Sequence, residues 1–377
     1  NTMTSMIKTH VFFDFTDFLG GLYNPVKIKG PPHNDDLLYV GQNILAHNTA
    51  GWSGGNLATV GYATVLVEQM SLLHGIAMHL DGGGGYLGFG AHVKTTNTVV
   101  KGNKANRRGG GLALDSSVGR SDVNVNKQAV LMLAHTTIME NVAEKDGGGE
   151  AYGGGVALTG ASELCDTTNL QHKGCPSPLL GETSTTSKTS KIQYNGAVKG
   201  AGVYVTQAND DTTVLSNLWI DTNCATNDEG MLQQLLDGDG EAACTAMPIN
   251  ADENKGQGGG MYCNGGTCAL QASLLTKNRA EKRGGGVVVA VRGVLQLSAS
   301  SITTNIATYG GGIATDDFYG PCEISDSGFN SQLDSNTAVE CGGNIEIQGS
   351  LQPVYVKGYG KDAASCMSAN LKGMIIR

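Results

Sequence analysis

The chain is poor in most of what ordinary globular domains use. Charged residues make up 16% of it, aromatic residues 6%, and prolines number 8 in 377 positions. No run approaches the roughly 18 consecutive apolar residues that a membrane-spanning helix needs. The opening NTMTSMIKTH has neither the charged nor the apolar region of a signal peptide, so a processed chain or an excised part of a longer one is expected. Net charge is −9, and the lysines and arginines are scattered rather than gathered on one face, which excludes nucleic acid as a partner. No N-x-S/T acceptor for N-glycans occurs, although GETSTTSKTSK would suit O-glycosylation. Paired CxxC knuckles are missing too, which argues against a zinc site.

What the chain has in excess is glycine, 56 residues, without the three-residue period of collagen. The glycines cluster and the clusters recur: ANRRGGGLAL at 105–114, AVKGAGVYV at 197–205, AEKRGGGVVV at 280–289 and IATYGGGIAT at 306–315. A phosphate-binding loop uses such a cluster once and then enters a helix, and no cluster here leads into a helix-length amphipathic pattern.

A second register accompanies the first. An apolar residue, two variable ones, Asn, one variable and Ala recur with Asn at Asn48, Asn103, Asn141, Asn195, Asn223, Asn278, Asn305 and Asn336, while Gly75 stands in the Asn place once. Intervals of 27, 28, 28, 27 and 31 residues separate five successive pairs, and the longer intervals of 38, 54 and 55 carry polar segments at about 115–127, 159–190 and 227–256. These segments read as loop insertions. A period near 27 is one coil of a solenoid. The expectation is an all-β fold, a right-handed single-stranded parallel β-helix of about nine coils and about 43 Å at roughly 4.8 Å per coil. On this reading the Asn takes the left-handed backbone of a sharp corner, where Gly75 serves equally well. Asn amides then stack into a ladder, the apolar residue and the Ala face inward, and the residue between Asn and Ala faces solvent.

The paired tetrapeptides GGGI (Gly310–Ile313), GGGV and GGGL with ITTN, LTKN and IMEN resemble the polymorphic outer-membrane protein repeats, whose GGA[ILV] and FxxN elements alternate in the same way. Over about residues 42–347 the resemblance implies a right-handed β-helix at a cell surface with an adhesive role. The chain differs in using Ile, Leu or Val for Phe and Gly for Ala.

Residues 1–41 hold four of the seven phenylalanines, Phe12, Phe13, Phe15 and Phe18, and read as a cap on the first coil or as a docking segment for a neighbouring subunit. Residues 348–377 read as a final coil or a C-terminal cap. Nine cysteines are present. Their placement predicts the pairs Cys165–Cys175, Cys224–Cys244, Cys263–Cys268 and Cys322–Cys341, with Cys366 free or intermolecular. Such usage favours an extracellular or cell-surface location.

Catalysis finds little support. The Asp-rich NDD segments at Asn34–Asp36 and Asn209–Asp211 and the pair His74–Gly75 do not fall at matching coil positions, and Arg-x-Lys is absent. DGDGE at 237–241 reads as a solvated loop or a weak calcium site. His47 and His74 fall in equivalent outward slots, a surface pair that also has the chemistry to sense pH or bind a metal. The sequence thus predicts no catalytic, cofactor or metal residues. It predicts a non-catalytic structural or adhesive protein, a subunit of a surface fibre whose partners are other protein subunits, like or unlike. A glycan-binding or polysaccharide-degrading β-helix is the alternative.

Overall fold

A computed structural model describes residues 26–28, 43–59, 64–88, 91–116, 129–144, 151–167, 190–207, 211–249, 256–316, 323–326, 331–347, 355–357, 364–367 and 375–376. It is a parallel β-helix. One coil runs through four short strands, for example Thr64–Glu68, Met70–Leu73, Ile76–Ala77 and Gly85–Gly88. Each strand pairs in parallel with its counterpart on the next coil, which builds four sheets of 11, 9, 9 and 10 strands. Register holds from coil to coil: Val100 pairs with Leu72 on one side and Ile138 on the other.

The fold follows from alternation and corners. Inward positions of the second sheet (Leu72, Val100, Ile138, Ile192, Ile220, Leu275, Ile302) meet those of the first and fourth sheets in one continuous apolar core. The third-sheet alanines from Ala77 to Ala307 are equally buried, while Ala50 and Ala338 on the outer coils are half-buried. Each Leu or Ile so buried contributes about 1.5–3 kcal/mol.

Corner chemistry differs from the expectation in one respect. The left-handed residue is not the Asn but the residue before it: His47, His74, Gly102, Glu140, Tyr194, Thr222, Lys277, Thr304 and Ser335 have φ between 48° and 65°. That turn swings the following Asn inward, where Asn103, Asn141, Asn195, Asn223, Asn278 and Asn305 are fully buried. Each Nδ2 donates to the Oδ1 of the next Asn at 2.8–3.0 Å. It also donates to a backbone carbonyl of the preceding coil, as Asn195 does to Ile138. Each Oδ1 additionally accepts from the backbone N–H of the residue in the same slot one coil earlier, as Asn195 Oδ1 does from Asn141 and Asn103 Oδ1 from Gly75. Every polar atom of the amide is satisfied.

Gly75 is likewise not a left-handed glycine. A Cβ there would lie 2.4 Å from the Gly83 carbonyl and 2.5 Å from Asn56 Nδ2. Asn56 fills the vacancy, accepting from Asn48 and donating to Asn103. Asn344 extends the ladder at the other end by accepting from Asn336. Both stand in the third place of a glycine triplet.

Within the triplets the first glycine carries the turn, with φ of 60–75°. The third lies where the next coil comes too close for a side chain: a Cβ on Gly155 would sit 2.6 Å from the Gly202 carbonyl. A further ladder lies at the corner between the first and second sheets. Residues such as His135, Ala272 and Ala299 take the left-handed turn. The next residue's hydroxyl accepts from the coil before it, as Ser190, Ser273, Ser300 and Ser331 do from the backbone N–H of Thr136, Leu218, Ser273 and Ser300.

The insertions are pinned by buried carboxylates. Asp166 Oδ2 accepts from the N–H of Ser190, where the chain returns to the solenoid. Glu281 accepts from Thr226 Oγ1 and from the N–H of Gly256, the two ends of the third insertion. That insertion is not a loop. It folds into two helices, α1 (Glu229–Leu236) and α2 (Gly240–Ala246). The first and second insertions lie largely outside the described residues; Asp115 and Thr159, at their expected starts, are still in strands. The expected end segments also fall mostly outside, although Val26–Ile28 joins the first sheet beside Thr64–Glu68, and strands at 355–357, 364–367 and 375–376 continue the first and fourth sheets.

Candidate functional site

Three exterior regions carry the polar and apolar groups that the core does not absorb. The fourth-sheet face begins at a file of bridged residues beside the glycine triplets: Asp81, Arg108, Tyr152, Lys199, Gln257, Arg283 and Tyr309. Asp81 is 2% exposed. Arg107 grips it through Nε and Nη2 at 2.9 and 2.6 Å, and Arg108 through the same atoms at 3.3 and 2.8 Å. Burial would raise its pKa, but the two guanidiniums outweigh that and hold the carboxyl below its ordinary value. Arg108 Nη1 reaches on to Thr159 Oγ1. Nearby, Tyr86 donates to Asp115 Oδ2 at 3.4 Å, and burial plus that carboxylate push the phenol up to about 12. Further along, Tyr152, Tyr204 and Tyr262 stack with centroids 4.6 and 5.8 Å apart, and the Lys199 ammonium lies 5.5 Å from the Tyr262 ring. Tyr204 and Tyr262 are buried, so their faces belong to the protein.

The second region is the helical insertion, which lies on the third sheet. Asp228 caps α1 by accepting from the N–H of Met231. Met231, Leu232 and Leu235 then pack on Val142 and Cys224. These outward slots, expected to face solvent, are buried because the hairpin covers them. Gly196 is part of the fit: a Cβ there would lie 2.4 Å from Leu235 Cδ1. Cys224 is joined to Cys244 of α2. The DGDGE segment spans the turn between the helices and the start of α2, where Asp237 accepts from Gln233 and Glu241 from Tyr194. Among the described residues no group of three or more His, Cys, Asp or Glu side chains is placed to hold a metal ion.

The third region is the N-terminal end. The imidazoles of His47 and His74 stack on successive coils with centroids 5.0 Å apart. Trp52 lies 5.8 Å from His79 and is 70% exposed. Ile44, Ile76 and Met78 are exposed on the same two coils.

Other predicted residues are dispersed. Asn34–Asp36 and Asn209–Asp210 fall outside the described residues, and Asp211 borders the first sheet, where its carbonyl accepts from Thr267. The letters GWSGG at 51–55 spell a nucleophile elbow, yet they form a coil corner between short strands rather than a strand-to-helix turn. Ser53 Oγ there accepts from the N–H of Asp81. Burial raises the pKa of both Glu163 and Asp221, but they belong to different sheets and so to different faces. Cys263 pairs with Cys268 across the NGGT turn. Cys165 and Cys341 are also disulfide-bonded; Cys175 and Cys322, expected to be their partners, lie outside the described residues.

Sequence reasoning missed the Asp81–Arg107–Arg108 cluster. Its only signal was Asp81 immediately before one glycine cluster and the Arg pair immediately before the next, one period apart. No protein-family model, no curated protein and no solved structure matches this chain.

Proposed function

We propose that this chain is a non-catalytic structural or adhesive rod, a subunit of an extracellular or cell-surface fibre built by end-to-end stacking. One observation carries the reading. The large apolar side chains exposed among the described residues are Ile44, Trp52, Ile76 and Met78 on the first two coils and Val339 on the ninth. The described residues of the coils between them expose none. Exposed apolar surface kept to the first two coils and the ninth suits a contact that joins the head of one copy to the tail of the next.

Disulfides are compatible with an oxidising compartment, and no described helix is long and apolar enough to cross a membrane. The resemblance to surface-exposed adhesin repeats points the same way. On the fourth-sheet face the buried carboxylate Asp81, a group that polysaccharide chemistry would need free, is neutralised by two arginines. A glycan meeting that face would find Tyr204 and Tyr262 covered, so the fibre ranks above a polysaccharide-directed role. Sedimentation velocity over a wide concentration range, with electron microscopy of the same samples, tests it. Linear chains of rods growing with concentration are expected. A strict monomer that cleaves or binds polysaccharide would replace the proposal with the alternative.

A further inference from the structure

We propose that His47 and His74 form a two-histidine chelate for a first-row transition-metal cation, Cu2+ or Zn2+, at the N-terminal end of the solenoid. The two residues occupy one corner position on successive coils, with φ of 56° and 48°. Gly102, Glu140, Tyr194 and Thr222 take the same position on the following coils with the same backbone. The corner therefore demands a left-handed conformation and not an imidazole. Core packing does not demand one either, because His47 is exposed and His74 half-buried. Neither ring has a hydrogen-bond partner among the described residues.

Their contact is with each other, in planes within 11° at a centroid distance of 5.0 Å. The sheet register that pairs Ala46 with Leu73 and Thr49 with Ile76 holds the two backbones side by side, so the two side chains are neighbours before any metal arrives. The third coil leaves room for the ring. A Cβ on Gly102 would lie 2.6 Å from His74 Nδ1, and glycine places nothing there. The neighbouring ammoniums are engaged elsewhere, Lys101 with Glu140 and Lys104 with Glu144, each at 2.8 Å.

Imidazole nitrogen suits both ions, and tetrahedral ligation at about 2.0–2.1 Å sets two nitrogens about 3.3 Å apart. Stacked rings aim their in-plane lone pairs side by side, so both imidazoles rotate out of the stack to reach that separation, and no hydrogen bond among the described residues opposes the rotation. With no third protein ligand, water completes the coordination shell, and the bound ion exchanges readily.

Calorimetric titration of the full chain with ZnCl2 and electron paramagnetic resonance with CuCl2 test the site. His47→Ala and His74→Ala should each weaken it by about a hundredfold or more, because the second ligand binds intramolecularly. Each should also convert a two-nitrogen copper signal into a one-nitrogen signal. His79→Ala should leave affinity and signal unchanged. Gly102→Ala, by crowding the His74 ring, should weaken binding with both histidines intact. Absence of binding, or a site that neither histidine substitution alters, overturns the proposal. Both histidines lie outside the core, so circular dichroism unchanged from wild type confirms that a loss of binding is local.

Discussion

At the scale of single residues, the Asn ladder is where the fold is most sensitive. Asn195 is fully buried and donates to Ile138 and Asn223 while accepting from Asn141. Asn195→Leu keeps the approximate volume but leaves those groups without partners, at a cost of about 2–4 kcal/mol. Asn48 is exposed and makes one ladder bond, to Asn56, so Asn48→Leu should cost about 1 kcal/mol or less. Urea unfolding of the two variants measures the contrast. Equal losses would mean that the ladder is not what holds the coils in register.

Asp81 makes a different prediction, in pH. Its carboxyl is held below the ordinary value of 3.8 in the folded chain. Asp81→Asn should therefore lose about 3 kcal/mol at neutral pH by leaving two guanidiniums without their anion. The wild-type advantage is full above 3.8 and disappears as pH falls through the lower folded-state value. A stability gap that stays constant down to the acid transition would show that the ion pairs contribute nothing.

The same residues show what could be read in advance. The period, the inward apolar file, the alanines and the asparagines were legible because each repeats one side-chain type in one slot. The left-handed position was assigned one residue late. Tolerance of that conformation is a property of Asn, whereas the corner imposes it on whatever precedes the Asn, from His47 to Lys277. Such a constraint acts on backbone and leaves no residue signature. The hydroxyl ladder stayed hidden for a related reason: Thr136, Ser190, Ser273 and Ser300 alternate between residue types, and Leu218 interrupts them.

At the scale of elements, the helical hairpin is an independent piece laid on a finished solenoid. Its signal lay in the sequence, with an Asp cap at 228 and apolar residues at 231, 232, 235 and 236, but the flanking acidic and glycine residues made the segment read as polar. Its attachments include the apolar contact on Val142 and Cys224, the Cys224–Cys244 bond, and Arg279 Nη2 donating to the Met247 carbonyl. The disulfide separates its cysteines by 20 residues, so its loss should cost about 3 kcal/mol of local stability. In Cys224→Ser/Cys244→Ser, amide exchange at 229–246 should accelerate while Lys191–Gln193 and Trp219–Asp221 stay protected. Faster exchange throughout would mean that the hairpin is part of the solenoid's cooperative unit.

At the scale of the whole molecule, the two ends differ, and that difference fixes the kind of assembly available. In the proposed fibre, a head carrying Trp52, Ile76 and Met78 and a tail carrying Val339 would make a heterologous contact, which leaves both outer ends open and so propagates. A contact between two heads would be self-complementary and would stop at a dimer. Trp52→Glu disables the head alone and Val339→Glu the tail alone, and neither side chain is part of the core. Each variant by itself should therefore sediment as a monomer. Mixed in equal amounts they should form a dimer and nothing larger, because the one intact tail meets the one intact head and both outer ends are blocked. If Val339→Glu alone still dimerises while Trp52→Glu does not, the heads pair with each other. The rod would then be a symmetric dimer, and the fibre would have to be given up.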